Sequence, residues 1–301
     1  MNFKVIGIGE ALWDLLPAGR QLGGAPANFS FHAKMLGAQA QLITRVGRDD
    51  LGQAILQRFV EMGMEVDAIQ LDDHAPTGTA SVVLNHGGVP HFVIQENVAW
   101  DRLMLTEKSQ AVVREADAVC FGTLAQRNET SRRTIQSLVA STRPDALKVF
   151  DINLRQNFFS FEIIKASLVL ANILKISDEE LPVLAKFFGL TGGPEEQIAE
   201  LAQSFDLRLV ALTCGARGSL FYSHGCYSRV AGLPVKVVDT VGAGDAFTAM
   251  LSLGLLAGWD LERINHSANE VAAYVVSQPG ATPRLPAHLR FNEAFSLKAM
   301  P

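Results

Sequence analysis

The chain has 301 residues, of which 48% are apolar and 19% carry a charge. Soluble proteins average roughly 25% charged residues, so much of this chain must be buried, in a core that needs no disulfide or metal for support. The apolar half and the 17 phenylalanines exclude a disordered chain. A net charge of −5 without a basic stripe excludes nucleic acid as a partner.

Short apolar runs and helical segments alternate from the N-terminus onward. Residues 3–9 are typical of a buried strand, and a helix is predicted at 27–36 with Gly37 after its last turn. A strand at 41–46 and a helix over 51–62, closed by Gly63, follow. Further strands are predicted at 118–121, 147–152, 173–176 and 209–213, with helices between them. This alternation predicts the α/β class, with a mostly parallel central sheet and helices on both faces.

One segment breaks the alternation. Residues 77–96 show a strand–turn–strand pattern with the turn at 86–90, which has no place inside a doubly wound sheet. We expect this hairpin on the rim, as a flap over the carboxyl ends of the strands, where such sheets bind ligands. No linker or shift in composition divides the chain, so a single domain is predicted.

The most informative segment is Asp-Thr-Val-Gly-Ala-Gly-Asp at 239–245, directly before a stretch apolar enough to be a buried helix. Gly242, Ala243 and Gly244 therefore lie at a helix N-terminus, where unpaired N–H groups and the helix dipole can bind an anion. Asp245 lies in the first turn, able to take a proton from an attacking hydroxyl. It can equally be an ordinary N-terminal carboxylate that stabilises the helix. In either role the helix terminus is expected to lower its pKa.

Two further segments carry groups suited to a polyol. Gly23 and Gly24 open the first helix and permit close approach of a ligand, and Asn28 offers both donors and acceptors. A simple turn with an N-terminal cap is the alternative interpretation of these residues. Asp14 follows the first strand, where its carboxylate can accept two hydrogen bonds from neighbouring hydroxyls.

Two common nucleotide motifs fail. Gly7 and Gly9 resemble the start of a dinucleotide fingerprint, but its third glycine falls at Leu12, which disfavours a nicotinamide-dependent oxidoreductase. A P-loop needs the dipeptide Gly-Lys, which does not occur in the chain. If the protein uses ATP, it does so without a P-loop.

Segment 239–245 resembles the DTxGAGD motif, and segment 23–28 the GGxxxN motif, of the ribokinase (PfkB-type) carbohydrate kinases. The resemblance extends from Gly9 to about residue 283. It implies a ribokinase-like fold in a single domain over 1–301, with a small β-sheet lid formed by segments of approximately 10–23 and 72–100. It also implies transfer of the γ-phosphoryl group of ATP to a sugar hydroxyl.

The resemblance implies roles for individual residues. Asp245 matches the catalytic base, and Gly242, Ala243 and Gly244 match the anion hole for the phosphoryl group. The implied sugar-binding positions are Asp14, Gly24, Asn28, Arg155 and Asp245. The implied nucleotide-binding positions are Lys175, Thr213, Gly215, Gly218 and Asn269.

Metal ions enter through the same resemblance. Glu180 matches an acid that organises Mg²⁺ through water, although Ser177 stands where the family has asparagine. Family members often bind a monovalent cation between a loop that corresponds to 277–281 and the segment that corresponds to Asp239. The implied cofactors are therefore ATP and Mg²⁺, with K⁺ as a further candidate.

The identity of the sugar rests on finer likenesses. Residues 9–17 are similar to the opening of bacterial fructokinases, and Asp151-Ile152-Asn153-Leu154-Arg155 resembles their DxNxR segment. Ketodeoxygluconate kinases share that segment, but they usually carry an aromatic-x-Arg triplet in the lid, where this chain has Val93-Ile94-Gln95. The balance favours fructose, with ketodeoxygluconate, another sugar or a nucleoside as alternatives. A catalytically silent sugar-binding regulator on the same fold is a non-enzymatic alternative.

The remaining expectations concern environment and partners. Three unpaired cysteines, no signal peptide and no apolar stretch long enough to cross a bilayer predict a cytoplasmic protein without a membrane partner. The partners are then a sugar and ATP. The exposed face of a lid sheet would also suit pairing into a homodimer.

Overall fold

The computed structural model describes residues 3–16, 19–84 and 90–291. The predicted turn at 86–90 lies outside these residues, except for Pro90. The strands are β1 (Lys4–Ile8), β2 (Leu12–Leu16), β3 (Gly19–Gly23), β4 (Gln39–Gly47), β5 (Ile69–Asp72), β6 (Gly78–Leu84), β7 (Pro90–Ile94), β8 (Ala118–Phe121), β9 (Leu147–Asp151), β10 (Ile173–Ser177), β11 (Leu209–Thr213), β12 (Ser219–Ser223) and β13 (Cys226–Val230). The helices are α1 (Ala25–Leu36), α2 (Asp50–Glu61), α3 (Glu107–Arg114), α4 (Glu129–Ala140), α5 (Phe161–Leu170), α6 (Leu181–Phe188), α7 (Pro194–Ser204), α8 (Ala243–Leu256) and α9 (Leu261–Val276).

Nine strands form the large sheet, in the order β13-β12-β11-β10-β9-β8-β1-β4-β5. Neighbours from β5 to β11 are parallel, and β12 and β13 are added antiparallel at one edge. Each strand predicted for the central sheet is present in it. The prediction of a mostly parallel α/β sheet is therefore confirmed, although β5, β12 and β13 had not been assigned from the sequence.

Helices cover both faces of the large sheet. Because side chains alternate along a strand, Val5 of β1 joins a core with α1, α8 and α9, whereas Ile6 and Ile8 join a core with α4 to α7. Both cores are shielded from solvent, since Val5 and Ile8 have no exposed surface. The buried strands hold the carboxyl edge of the sheet in a fixed position, which is what a binding site at that edge requires.

A second, smaller sheet of four strands has the order β3-β2-β6-β7. It begins at the carboxyl end of β1, since β2 starts at Leu12, only four residues after Ile8. The expected hairpin is present as the antiparallel pair β6–β7, and β2 pairs with β6 in parallel. One face of this sheet is anchored to the body through Leu12, Ala80 and Ile94, which are all buried.

Candidate active site

The N-terminus of α8 has the geometry of an anion hole. Gly242 caps the helix in a left-handed conformation, with φ 79°, and a Cβ there would lie 2.2 Å from the carbonyl oxygen of Ala281. A Cβ on Gly244 would lie 3.2 Å from Nζ of Lys175. The predicted anion hole thus consists of helix N–H groups with an ammonium group beside them. Such a site favours a negatively charged ligand.

Asp245 lies in the first turn of α8, as predicted, but its pKa differs from the expectation. Burial raises the pKa of Asp245 to about 7, and the negative charge of Asp151 adds to this effect. The hydrogen bond from Asn28 and the charges of Lys175 and Arg155 act in the opposite direction and are outweighed. The expectation of a lowered pKa was wrong, because desolvation exceeds the effect of the helix terminus here.

A buried network of hydrogen bonds lies next to the anion hole and holds Lys175 in place. Asp151, the last residue of β9, accepts hydrogen bonds from Nζ of Lys175 at 3.0 Å and from Oγ1 of Thr248 at 2.8 Å. Burial raises the pKa of Asp151, with Lys175 acting against it. Burial acts to lower the pKa of Lys175, but Asp151 and Glu180 outweigh it and the pKa is raised. Lys175 is therefore charged, and it lies beside the helix N-terminus.

Two of the predicted sugar-binding residues, Asn28 and Asp14, lie on different elements of the fold. Nδ2 of Asn28, on α1, donates to Oδ2 of Asp245 at 2.9 Å. Asp14 lies in the middle of β2, on the face that also carries the buried Ala80. It follows β1, as expected, and it lies in the second sheet, within the segment of approximately 10–23 that was expected to form the lid. Burial raises the pKa of Asp14 to about 6, with Arg155 acting against it.

The glycine pair at the start of α1 makes room for two acidic residues. A Cβ on Gly23 would lie 2.4 Å from Oδ2 of Asp14, and a Cβ on Gly24 would lie 2.5 Å from the carbonyl oxygen of Glu10. Gly24 has φ 105°, a backbone conformation that residues other than glycine rarely adopt. A side chain at either position would therefore displace the carboxylate of Asp14 or the backbone at Glu10.

Arg155 supplies positive charge from the loop after β9. Its side chain is exposed, and Nη1 donates to the carbonyl oxygen of Leu154 at 3.1 Å. Its charge acts to lower the pKa of Asp14, Glu10 and Asp245, although burial outweighs it in each case. Arg155 is thus close enough to interact electrostatically with all three acids, as expected for a residue at the rim of the same site.

A cavity of about 620 Å³ adjoins the other side of the anion hole. Its lining includes Gly244 and four of the five predicted nucleotide-binding residues, namely Thr213, Gly215, Gly218 and Asn269. The fifth, Lys175, approaches the cavity at Gly244. Most of the exposed lining is apolar, which suits the flat face of a nucleobase.

The predicted magnesium residue has a structural function in addition. Oε1 of Glu180 accepts from the backbone N–H of Leu154, and Oε2 from that of Ser177, each at 2.8 Å. Ser177 returns a contact, since its Oγ accepts from the N–H of Glu180 at 3.3 Å. Among the described residues, no cluster of three or more histidine, cysteine or acidic side chains could hold a metal ion directly. The oxygens of Glu180 retain lone pairs for water, so the residue fits an indirect contact with Mg²⁺.

Asp239 connects the two loops between which a monovalent cation was expected. Its Oδ1 accepts from the N–H of Val241 at 3.0 Å, and its Oδ2 from the N–H of Gly280 at 3.1 Å. The structure thus places segment 239–241 against loop 277–281. Both carboxylate oxygens already accept one hydrogen bond each, so a cation here would also need backbone carbonyl groups.

Three residues of this site had no assigned function in the sequence analysis. Glu10 is 2% exposed and lies two residues after β1. Asp151 and Thr248 complete the network with Lys175. A signal for Glu10 was present in the sequence, because an acidic residue directly at the end of a buried strand needs a reason to be there. Nothing local marks Thr248, which lies within an apolar helix.

Comparison with known proteins agrees with this geometry. Residues 18–288 match the model of the pfkB family carbohydrate kinases. A fructokinase of Escherichia coli is 30% identical over 303 residues, which cover 95% of this chain and 97% of that protein.

Two crystal structures are similar over nearly the whole chain. A fructokinase of Vibrio cholerae with bound fructose, ADP and calcium has a TM-score of 0.80 and 26% identity, covering 95% of this chain and 97% of its own. An uncharacterized sugar kinase of Pyrococcus horikoshii in complex with ATP has a TM-score of 0.81 and 29% identity, covering 98% of each chain. In the part of this chain that the structure describes, no helix has the length and apolar character needed to cross a membrane. The chain belongs to the pfkB family of carbohydrate kinases, has their ribokinase-like fold, and is a phosphotransferase that acts on a sugar hydroxyl.

Proposed function

We propose that this protein is an ATP-dependent fructokinase, which converts D-fructose to fructose 6-phosphate. The observation that carries the proposal is the position of Asp245, which lies in the first turn of α8 beside the anion hole and accepts a hydrogen bond from Asn28. A primary hydroxyl at Asp245 would face the γ-phosphoryl group held at Gly242–Gly244. The other hydroxyls of the sugar would form hydrogen bonds with the carboxylate of Asp14 and the amide of Asn28.

Asp245 acts as the general base in this proposal. Its pKa of about 7 suits the task, since a base works best when its pKa is close to the working pH. The N–H groups at the start of α8 and the ammonium group of Lys175 stabilise charge on the transferring phosphoryl group. Lys175 is held for this purpose by Asp151 at 3.0 Å.

ATP would occupy the cavity of about 620 Å³, with its phosphates toward Gly244 and its base toward the apolar wall near Ala272 and Val276. Mg²⁺ would neutralise phosphate charge and keep most of its water, and Glu180 would contact one of these waters. A monovalent cation, with K⁺ as the candidate, would lie near Asp239 and loop 277–281. Thr213, Gly215 and Gly218 would contact the phosphates from β11 and the turn after it.

Fructose is favoured over an acidic sugar because of the balance of charge around Asp245. Asp14 and Asp245 accept hydrogen bonds and repel a carboxylate. Arg155 is the observation that favours the second candidate, ketodeoxygluconate, since its guanidinium could pair with the carboxylate of that sugar. At the lid position Val93, Ile94 and Gln95 provide no further cation. The name of the Escherichia coli relative also supports fructose.

The test is an ATP-coupled assay with fructose, ketodeoxygluconate, ribose and nucleosides as acceptors, repeated with Arg155→Met. We expect fructose to give the highest kcat/KM, with little loss in the variant. A preference for ketodeoxygluconate that disappears in the variant would replace fructose by the acidic sugar. If none of these acceptors is phosphorylated, the fructokinase assignment fails, and a test for sugar-dependent changes in melting temperature would identify the sugar that binds.

The second sheet is a lid in this proposal, within a single domain, and it excludes water when the sugar binds. Its attachment supports this view, because the guanidinium of Arg127 donates to the carbonyl oxygen of Gln95 at 2.6 Å, directly after β7. Arg127 also forms a buried ion pair with Asp101. Leu15 and Val93, each about 40% exposed on this sheet, support pairing of two lids in a homodimer. A cytoplasmic location agrees with three cysteines that form no disulfide in the described part of the chain.

A further inference from the structure

Glu10 is a buried acidic residue that the proposed chemistry of phosphoryl transfer does not use. It is 2% exposed, and it lies where the carboxyl end of β1 meets the N-terminus of α1. Its Oε1 accepts from the N–H of Ala25 at 3.2 Å. Its Oε2 is fully buried and has no hydrogen-bond partner among the described residues. A buried carboxylate oxygen without a partner is costly, so a ligand that supplies the missing hydrogen bond is expected.

A second buried oxygen that lacks a partner lies on α1. Asn28 is 3% exposed, and its Nδ2 donates to Asp245 while its Oδ1 has no partner in the part of the chain that the structure describes. Asp245 raises the pKa of Glu10, which shows that the two carboxyl groups are close enough to interact. The unpaired oxygens of Glu10 and Asn28 thus both belong to the surroundings of the general base.

The chemistry of these atoms restricts the ligand. Burial raises the pKa of Glu10 to about 7, so both protonation states are populated near neutral pH. A hydroxyl can donate to the ionised carboxylate and can accept from the neutral acid, so it pairs with either state. A carboxylate on the ligand could pair only with the neutral acid. Oδ1 of Asn28 requires a donor in all cases.

We propose that Glu10 is a specificity-determining residue, whose Oε2 hydrogen-bonds a hydroxyl of the acceptor sugar other than the one that is phosphorylated. The inference rests on the proposed function in so far as the sugar binds beside Asp245, and it does not depend on the sugar being fructose. Glu10 and Asn28 together select a neutral, hydroxylated face of the sugar. The charge of Arg155 acts to lower the pKa of Glu10, but burial outweighs it, and the unpaired oxygens of Glu10 and Asn28 still require a donor.

The test measures kcat and KM at pH 8 for three proteins: wild type, Glu10→Met and Glu10→Gln. Methionine has a similar length and removes both hydrogen bonds, whereas glutamine retains two polar atoms. We expect Glu10→Met to raise the KM of the sugar by roughly 10- to 100-fold, with kcat within about threefold of wild type, as for the loss of a hydrogen bond to a charged group. Glu10→Gln should restore most of the affinity.

Single-deoxy analogues of the sugar separate recognition from structural support. For one analogue, the penalty that wild type shows should disappear in Glu10→Met, because the partner of the missing hydroxyl is already gone. Asp72→Asn is the control, since Asp72 is also 2% exposed and also accepts backbone N–H groups, but it lies on β5 at the edge of the sheet. It should lower the melting temperature and leave every analogue ratio unchanged.

Equal penalties for every deoxy analogue in wild type and Glu10→Met would overturn the proposal and leave Glu10 a structural residue. If Glu10→Met does not fold, Glu10→Asp retains the charge and withdraws it by one methylene. The penalties of the deoxy analogues are then compared between wild type and Glu10→Asp. A penalty that becomes smaller for one analogue supports the proposal, and equal penalties for all analogues refute it. The sugar used is the one that wild type phosphorylates fastest. A sugar other than fructose therefore refutes the fructokinase assignment without affecting the test of Glu10.

Discussion

The proposed active site has two sides, one for the phosphoryl group and one for the sugar, which differ in the chemical groups that form them. The phosphoryl side consists of backbone N–H groups from one continuous segment, 242–244, with the ammonium group of Lys175 beside it. The sugar side consists of side chains, mostly acceptors, brought together from β2, α1 and the loop between β1 and β2. Asp245 lies at the boundary. Developing negative charge and neutral hydroxyl groups require opposite partners, so each side can be disabled separately.

The largest expected effect on kcat comes from replacing Asp245, the residue between the two sides. Asp245→Asn should lower kcat by roughly 10²- to 10⁴-fold, the contribution typical of general base catalysis, and should change the sugar KM little. The matched control is Asp260→Asn, because Asp260 caps α9 by accepting from the N–H of Arg263 at 2.8 Å. The control should leave kcat unchanged and cost little stability, because asparagine caps a helix about as well as aspartate. Near-normal turnover of Asp245→Asn would mean that Asp245 is only a helix-terminal carboxylate.

The phosphoryl side should be the next most sensitive. Lys175→Met removes the cation from the anion hole, and we expect kcat to fall roughly 100-fold, as when one oxyanion-hole donor is removed. The variant also leaves Asp151 buried without its ion-pair partner, which should cost about 3 kcal/mol in the free energy of unfolding. Turnover is measured by the coupled assay, and stability by denaturant titration.

A double variant separates these two effects of Lys175. Lys175→Met combined with Asp151→Asn removes the unpaired buried charge, so it should recover most of the stability and none of the turnover. Lys165→Met, which changes an exposed lysine on α5, is the control and should be neutral. Recovery of turnover in the double variant would show that Lys175 serves only to neutralise Asp151.

The sugar side should respond in affinity and not in turnover. Asp14→Ala removes a charged acceptor from the inner face of β2, and the sugar KM should rise roughly 10- to 100-fold while the KM for ATP stays constant. The control is Asp73→Asn, because Asp73 forms an exposed ion pair with Arg48, and exposed pairs contribute little. An unchanged sugar KM in Asp14→Ala would place the sugar away from the second sheet.

The same contrast explains what the sequence could predict. The anion hole is a continuous segment before an apolar helix, so its residues and its position at the N-terminus of α8 followed from local pattern alone. The central strands were predictable because they are buried on both faces and therefore read as short apolar runs. The segment of Asp14 was assigned to a β-sheet lid by resemblance alone, because β2 is a short strand whose partners come from β3 and β6, and its role in sugar binding stays a prediction.

Burial was the quantity that the sequence could not supply. Residues that are distant along the chain bury Asp245 and thereby raise its pKa. Burial by such residues also separates the unpaired oxygen of Glu10 from water. Gly23 and Gly24 illustrate the same limit, because their approach to a ligand stays a prediction, while the structure shows that they also leave room for the carboxylate of Asp14 and the backbone of Glu10. A motif therefore identifies which residues take part, and the tertiary structure decides what each one contacts.

The smallest expected effect concerns pH, and it tests how the two sides are coupled at Asp245. The base acts in its ionised form and its pKa is about 7, so kcat/KM should fall about tenfold for each pH unit below roughly pH 7. Asp151 contributes to that pKa from the phosphoryl side by charge repulsion. Asp151→Asn removes the repulsion and leaves the charge of Lys175 unopposed, and both changes favour the ionised form of Asp245. The acidic limb of the profile should therefore move to lower pH by roughly one unit.

Asp14, with a pKa of about 6, titrates below this range and limits how far the limb can move. A limb that stays in place, in an Asp151→Asn variant with the stability of wild type, would show that burial alone sets the pKa of the base. The phosphoryl side would then be electrostatically independent of the residue that activates the sugar.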